Sequence, residues 1–423
     1  MALYIKRSFI FGSAFYLLMF LCFIGFEPFS INNETLLVED TGGANTLRQV
    51  SFVGVFIALL LLTRMFRIEL NFLSAAPLYL LVGLALISIA WSVSPVHTLK
   101  RSILLLIFVL SIHFIVLALG RGLAIYYLYR FLAVSIGISI VSVFVVPGAK
   151  HIGSQITDLG LVGDWKGVFQ HKNQAGPISF VFVLMSIYFY SIERKVLYLY
   201  LGVVGLVFLV GTGSKTSIIL LLPVLLFSYF FARVRGAAVS SQNIYTYIFT
   251  ACIFVFSFLL VFLLGFRGLS LISEESFTGR GAIWSVVWEA VVDSPLLGYG
   301  YGAVWLVGDR MELEKYIDGF SDWLYLVAHS HNAYLEVLVS LGLGGLLLVL
   351  LCFIVSPFRY IMGLNDIKKV FFYLSFWMFF WLHCILETDI MNSTDPRWMM
   401  ILIFYFLCCR SGGGLSRDRS RML

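Results

Sequence analysis

Two histidines and an asparagine, His329, His331 and Asn332, stand at the mouth of an apolar, glycine-spaced run in "HSHNAYLEVLVSLGLGG". Imidazole is the side chain that titrates nearest neutral pH. His331 is therefore a candidate to take a proton from an incoming hydroxyl or to hold it in place. Asn332 suits either a sugar contact or the cap of the helix that follows. Basic residues recur at comparable boundaries. Lys166 and Lys172 lie in "DWKGVFQHKNQAG" with His171 and Asn173, Lys215 lies in "GTGSKTS", and Arg280 lies in "FTGRGAIW" four residues before Trp284. A cation beside a membrane span is costly without a partner, so each is a candidate anion ligand. A diphosphate at headgroup depth is the natural anion. Arg280 would grip it through a planar fork and the lysines would act as point charges.

Plainer readings compete. His329, His331 and Asn332 would also serve as a polar collar, and Lys166 in particular reads as a solvated or snorkelling side chain. His329 and His331, with His151 or His171, would supply nitrogen ligands to a metal, but no tight carboxylate–histidine motif is seen beside them, and no metal is expected. "GTGSKTS" is not a nucleotide-binding loop, because no glycine directly precedes Lys215 and a membrane helix, not a strand, comes before it. It reads as a break between two spans whose second helix start attracts anions.

The elements that must carry these residues follow from composition. The chain has 423 residues, 60% hydrophobic and 12% charged, with a mean hydropathy of +0.96. That excludes a soluble domain and indicates an all-α, polytopic membrane helix bundle. About twelve spans of roughly membrane-crossing length are expected. They are 8–26, 50–63, 76–93, 102–119, 123–146, 177–190, 196–210, 217–231, 244–264, 334–355, 370–386 and 398–409. The first run lacks a small-residue cleavage site and is expected to be retained.

Basic loops fix an orientation: Lys6 and Arg7, Arg64 and Arg67, Arg121, Arg194 and Lys195, Arg233 and Arg235, then Arg359, Lys368 and Lys369, and finally Arg410, Arg417, Arg419 and Arg421. Both termini are then cytoplasmic, and the net charge of +6 reflects this asymmetry, not nucleic-acid binding. A single membrane domain, 1–423, carries two long outer loops, 147–176 and 266–333. The second is too long for a connector. Within it "GAIWSVVWEAVV" has helical spacing, with Ile283, Val287 and Ala290 on one side, and "DSPLLGYGYG" ends the pattern. Gly342, Gly344 and Gly345 are expected to permit close helix approach. The six cysteines lie in or beside apolar runs and read as packing thiols. His113 and His383 read as hydrogen-bonded packing residues.

Four pieces in this order, "GDWKGVFQHKNQAG", "GTGSKTS", "TGRGAIWSVVWEAVVDSPLLGYGYGAVW" and the histidine stretch, resemble the O-antigen ligase and polymerase superfamily. "HKN" and "GYGYGAVW" look most like its exopolysaccharide-production polymerase branch. The resemblance implies a membrane-embedded glycosyltransferase of C-type architecture in the bacterial inner membrane, acting on its periplasmic face without metal or other cofactor. Its donor would be an undecaprenyl-diphosphate-linked glycan. Its acceptor would be a growing glycan or, in the ligase branch, lipid A–core, and a chain-length regulator would be a partner. By the same resemblance His331 is the catalytic histidine and Arg280 the diphosphate ligand, while Lys215 stands where arginine is common and so lacks the planar fork.

The expected reaction is a single inverting displacement. Arg280, Lys215 and Lys172 would stabilise charge on the leaving diphosphate, and His331 would act on the acceptor hydroxyl. Trp284, Trp288, Tyr299, Tyr301 and Trp305 are expected either to stack on sugars or to form loop core and interfacial anchors, and His329, His171, Asn173 and Asn332 are further glycan contacts. Glu336, five residues past His331, lies on another helix face. The competing class is a lipid-linked-sugar flippase, disfavoured because no repeated halves are visible. An acyltransferase is disfavoured because thioester chemistry requires no diphosphate cradle.

Overall fold

The computed structural model describes residues 2–29, 46–152, 161–237, 280–305, 313–317, 324 and 327–409. Every regular element among them is helical. In chain order these are α1 (Ala2–Phe23), α2 (Thr46–Met65), α3 (Ala76–Ile87), α4 (Pro95–Val145), α5 (Lys172–Glu193), α6 (Val196–Gly211), α7 (Lys215–Ala237), α8 (Arg280–Asp293), the single turn α9 (Glu314–Ile317), α10 (Ala333–Leu350), α11 (Ser356–Met362), α12 (Ile367–His383) and α13 (Pro396–Cys409). Among the described residues seven helical stretches are long and apolar enough to cross a membrane, judged by length and composition. α4 is one stretch here, yet it carries two expected spans: Gly120 (φ 78°, ψ 172°) breaks it between them. The expected span 244–264 lies outside the described residues.

The chain divides into two compact units. The first comprises Met1–Ala76, Leu104–Leu222 and Met391–Leu423. Here α5 packs on α6, and α13 packs on α1 and α5. Gly205 permits the α5–α6 contact, since a Cβ there would lie 2.6 Å from the Phe182 ring. Its arginines tie helix ends together. Arg7 donates to the carbonyl of Ala118, Arg121 to Leu407, and Arg48 to Leu21, Cys22 and Thr394. Each contact joins residues that the alternation of basic loops assigns to one side. Carbonyls left over at helix C-termini are natural acceptors for such cations. His113 is buried and stacks flat on Phe406, with ring centroids 4.4 Å apart.

The second unit comprises Pro77–Ile103 and Pro223–Ile390. α8 buries Ile283, Val287 and Ala290, the face its spacing predicts. α10 is interrupted at Gly342 (φ 64°, ψ −165°). The break frees the carbonyls of Val339 and Ser340, which accept from the N–H groups of Tyr299 and Gly300, while Leu343 N–H turns to Pro295. The glycine-rich segment 298–302 thus fills the gap in the helix, held also by Arg101 on Gly302 and Trp91 on Leu297. Of Gly342, Gly344 and Gly345, Gly342 is the one that permits close approach of a neighbouring segment. A Cβ there would lie 2.1 Å from Leu296 O, whereas the nearest atom to one at Gly344 would be 3.9 Å away and Gly345 faces its own helix. Cys352 and Cys384 are buried thiols outside any disulfide here, as Cys22 and Cys408 are in the first unit, and Cys409 is a half-buried thiol; Cys252 lies outside the described residues.

Candidate functional site

In the second unit the turn 329–332 is locked between the start of α10 and the end of α12. Asn332 caps α10: its Oδ1 accepts from Tyr334 and Leu335 N–H. Ala333 N–H bonds to Cys384 O and Tyr334 Oη to Trp381 O. The half-buried Glu336 carboxylate accepts from Ser330 N–H at 2.9 Å and from the Trp305 indole at 2.9 and 3.0 Å. Trp284 donates its indole N–H to Ser330 O. These bonds hold His331 at φ 50°, a left-handed conformation unfavourable to a histidine. Strain of this kind persists only where the surroundings impose it, and it gathers at functional sites.

Against this turn sits Glu387, from the loop after α12. Its Oε1 lies 2.5 Å from Arg280 Nη2, at the first residue of α8, and its Oε2 lies 3.6 Å from His331 Nδ1. Glu387 is 4% exposed, Arg280 15% and His331 23%. Burial alone raises the Glu387 carboxyl, but the His331 imidazole and the Arg280 guanidinium outweigh it and hold the group well below the usual carboxylate range. A carboxylate facing Nδ1 favours the tautomer with the proton on that nitrogen, which leaves Nε2 as the basic one. The Arg280 fork keeps further donors beyond the one given to Glu387. The adjoining pair His383 Nδ1–Asp389 Oδ2, at 2.5 Å, is fully buried.

Arg280 and His331 are thus brought together, and Glu387 is the residue that sequence reasoning missed. The available signal was "HCILETD", two carboxylates just past an apolar span and close to a histidine, which is the carboxylate–histidine grouping not seen beside the motifs. The aromatic expectation resolves toward packing. Tyr299, Tyr301 and Trp305 are buried, and Trp284 packs on the same apolar cluster as Tyr299 and Trp305. Trp288 is 37% exposed.

The remaining candidates belong to the first unit. His171 caps α5, its Nδ1 accepting from Asn173 N–H. His151 Nε2 accepts from Lys172 N–H, and the His151 and His171 rings meet at 4.7 Å. Lys172 Nζ lies 2.6 Å from Asp164, so its charge is matched within the fold. Lys166 is not solvated: it is 1% exposed. Lys215 is exposed at the start of α7 after a turn made by Gly213 (φ 60°). A Cβ on Gly213 would lie 2.3 Å from Asp164, and one on Gly211 would strike Trp165. "GTGSKTS" is therefore a helix break seated on "GDWKG", and the glycines serve that contact.

Fold and site together define a polytopic helical membrane protein with an Arg–Glu–His cluster around a buried carboxylate at a strained turn. Residues 200–350, which hold Lys215, Arg280 and His331, match the family model described as O-antigen ligase. The chain is also 34% identical over 89 residues to the exopolysaccharide production protein ExoQ of Rhizobium meliloti (strain 1021). That match takes in 20% of this chain, which spans only about a fifth (19%) of the length of ExoQ. The family-model match thus covers the Arg280 and His331 motifs and leaves out "GDWKGVFQHKNQAG".

Proposed function

We propose that the protein is a glycosyltransferase of the inner membrane that takes glycan from an undecaprenyl-diphosphate carrier and adds it to a sugar hydroxyl on the periplasmic side, extending an exopolysaccharide or O-antigen chain. The observation that carries the reading is the placement of Glu387 between Arg280 and His331. Glu387 sets the imidazole so that Nε2 accepts the acceptor proton. The hydroxyl oxygen then bonds to the anomeric carbon as the bond to the carrier diphosphate breaks. Negative charge grows on that diphosphate, and Arg280 stabilises it in a poorly hydrated setting. On the first unit, Lys215 and Lys172 are proposed as cations for the same class of anion, with Lys172 shared with Asp164. Asn332 and His171 are occupied as caps and serve the glycan only through their remaining atoms. His329, Asn173 and Trp284 act as supports before they act as contacts.

The reaction is taken as inverting and metal-independent, on a C-type framework of about twelve spans with both termini cytoplasmic. The arginine contacts that join same-side helix ends support that orientation. The ExoQ likeness favours polymerisation, and a chain-length regulator would then be a partner. Transfer onto lipid A–core is the reading kept for the family model's own description.

The test is transfer by the purified full chain with a lipid-diphosphate glycan, without nucleotide or added metal. Longer lipid-linked chains support polymerisation, product on lipid A–core supports ligation, and movement of the lipid with no new glycosidic bond overturns both. His331→Ala should lower turnover by about a thousandfold, with the helical circular-dichroism signal unchanged. Full turnover in that variant removes the histidine from the mechanism.

A further inference from the structure

The first unit carries a second charged feature that the transfer chemistry does not use, at the opposite end of α5 from Lys172. That end is about 33 Å away for a helix of this length, roughly one hydrocarbon thickness. Arg130 is the one charged residue in the apolar stretch 123–146. It is exposed, with its guanidinium 5.6 Å from the Tyr126 ring centroid. Arg194, also exposed, lies 5.8 Å over the Tyr190 ring. Tyr129, next to Arg130 in the chain, packs its ring 4.7 Å from Phe189 and 5.7 Å from Tyr198, which brings the end of α5 beside it, and Lys195 there pairs with Glu193 at 2.6 Å. Three cations against one carboxylate leave two positive charges in excess.

Two features accompany this group. Arg194 closes α5 in the left-handed conformation, φ 58°, where glycine or asparagine is the usual choice. The cations also emerge from bare apolar surface: Val134, Ile192, Val196 and Leu197 are 62%, 44%, 74% and 59% exposed. By contrast Arg7 and Arg121 on the same unit give their donors to backbone carbonyls.

We propose that Arg130, Arg194 and Lys195, framed by Tyr126 and Tyr190, hold the phosphate of an anionic diacyl phospholipid at the membrane face opposite the Lys172 end. The headgroup meets the cations while the acyl chains lie along the exposed apolar side chains. Charge complementarity selects an anion, and the apolar flanks select a lipid over free phosphate. Interfacial tyrosines suit the same depth.

The test is retention of phosphatidylglycerol by the full chain in mixed phosphatidylglycerol–phosphatidylcholine nanodiscs, read by mass spectrometry of the released complex. The wild type should enrich phosphatidylglycerol. The combined Arg130→Gln, Arg194→Gln and Lys195→Gln variant should lose more than about tenfold of that enrichment, with its melting temperature in pure phosphatidylcholine unchanged. Should that variant misfold, Arg194→Gly, which suits the backbone at φ 58°, keeps the helix end and should still lower retention about fivefold. Equal enrichment in wild type and variants overturns the proposal. Displacement of the lipid by millimolar inorganic phosphate overturns it too, because it would show that the headgroup alone is bound. Transfer activity is not part of the readout, so failure here leaves the glycosyltransferase reading standing.

Discussion

The surroundings of His331 in the second unit and the "GDWKGVFQHKN" segment in the first look alike as strings, yet they are built differently. Both set a histidine and an asparagine at the start of a long helix. In the first, His171 caps, Lys172 is matched by Asp164 and Lys166 is buried, so the polar atoms hold the chain in place. In the second, capping and bracing fall to Asn332 and Glu336. His331 and Arg280 then share Glu387 and remain partly open. Chemistry becomes available where neighbours take over the structural work.

Removing the shared carboxylate is the strongest way to break that comparison. Glu387→Gln should lower turnover about a hundredfold, by loosening the imidazole and leaving Arg280 without its partner. It should also destabilise the fold by about 3 kcal/mol, measured by thermal melting. The sign with pH follows from the depressed carboxyl. Its stabilisation is complete above the unfolded value near 4.3 and is lost only as pH falls through the still lower folded value. The wild type should therefore show no acid-side decline between about pH 5 and 7 from this group. A decline there that vanishes in Glu387→Gln would contradict the assignment.

Arg280→Lys comes next. It keeps the charge and loses the fork, so donor kcat/KM should fall about tenfold to a hundredfold. An unchanged value would reduce Arg280 to a counter-ion of Glu387. In the first unit, Lys172→Gln and Asp164→Asn should each cost about 1–3 kcal/mol, and the double variant less than their sum. Only Lys172→Gln should raise the donor KM if the lysine also meets diphosphate. An equal rise in both would make the pair purely architectural. The smallest effect is Asn332→Ala, about 1 kcal/mol of stability from the lost cap, with kcat reduced only as far as the His331 turn relaxes.

Hydropathy and charge alternation reach most of the helices because each span carries its own apolar residues and its own flanks. The buried face of α8, the break at "GTGSKTS" and the end of α8 at "DSPLLGYGYG" are legible for the same local reason. Glu387 is not. It lies 107 residues from Arg280, at the edge of an apolar span that masks it, and no spacing rule links it to either partner. Lys166 misleads in the opposite sense, because a lone lysine in a polar stretch gives no sign of the fold that closes over it.

The sequence by itself determined where the chain is apolar enough to enter a membrane, where its helices start and stop, and which residue types stand at those boundaries, since these depend on neighbours along the chain. Only the tertiary structure decided which boundary residues brace the fold and which share a buried carboxylate. That depends on a low-dielectric contact among segments far apart in sequence, where one ion pair outweighs any local preference.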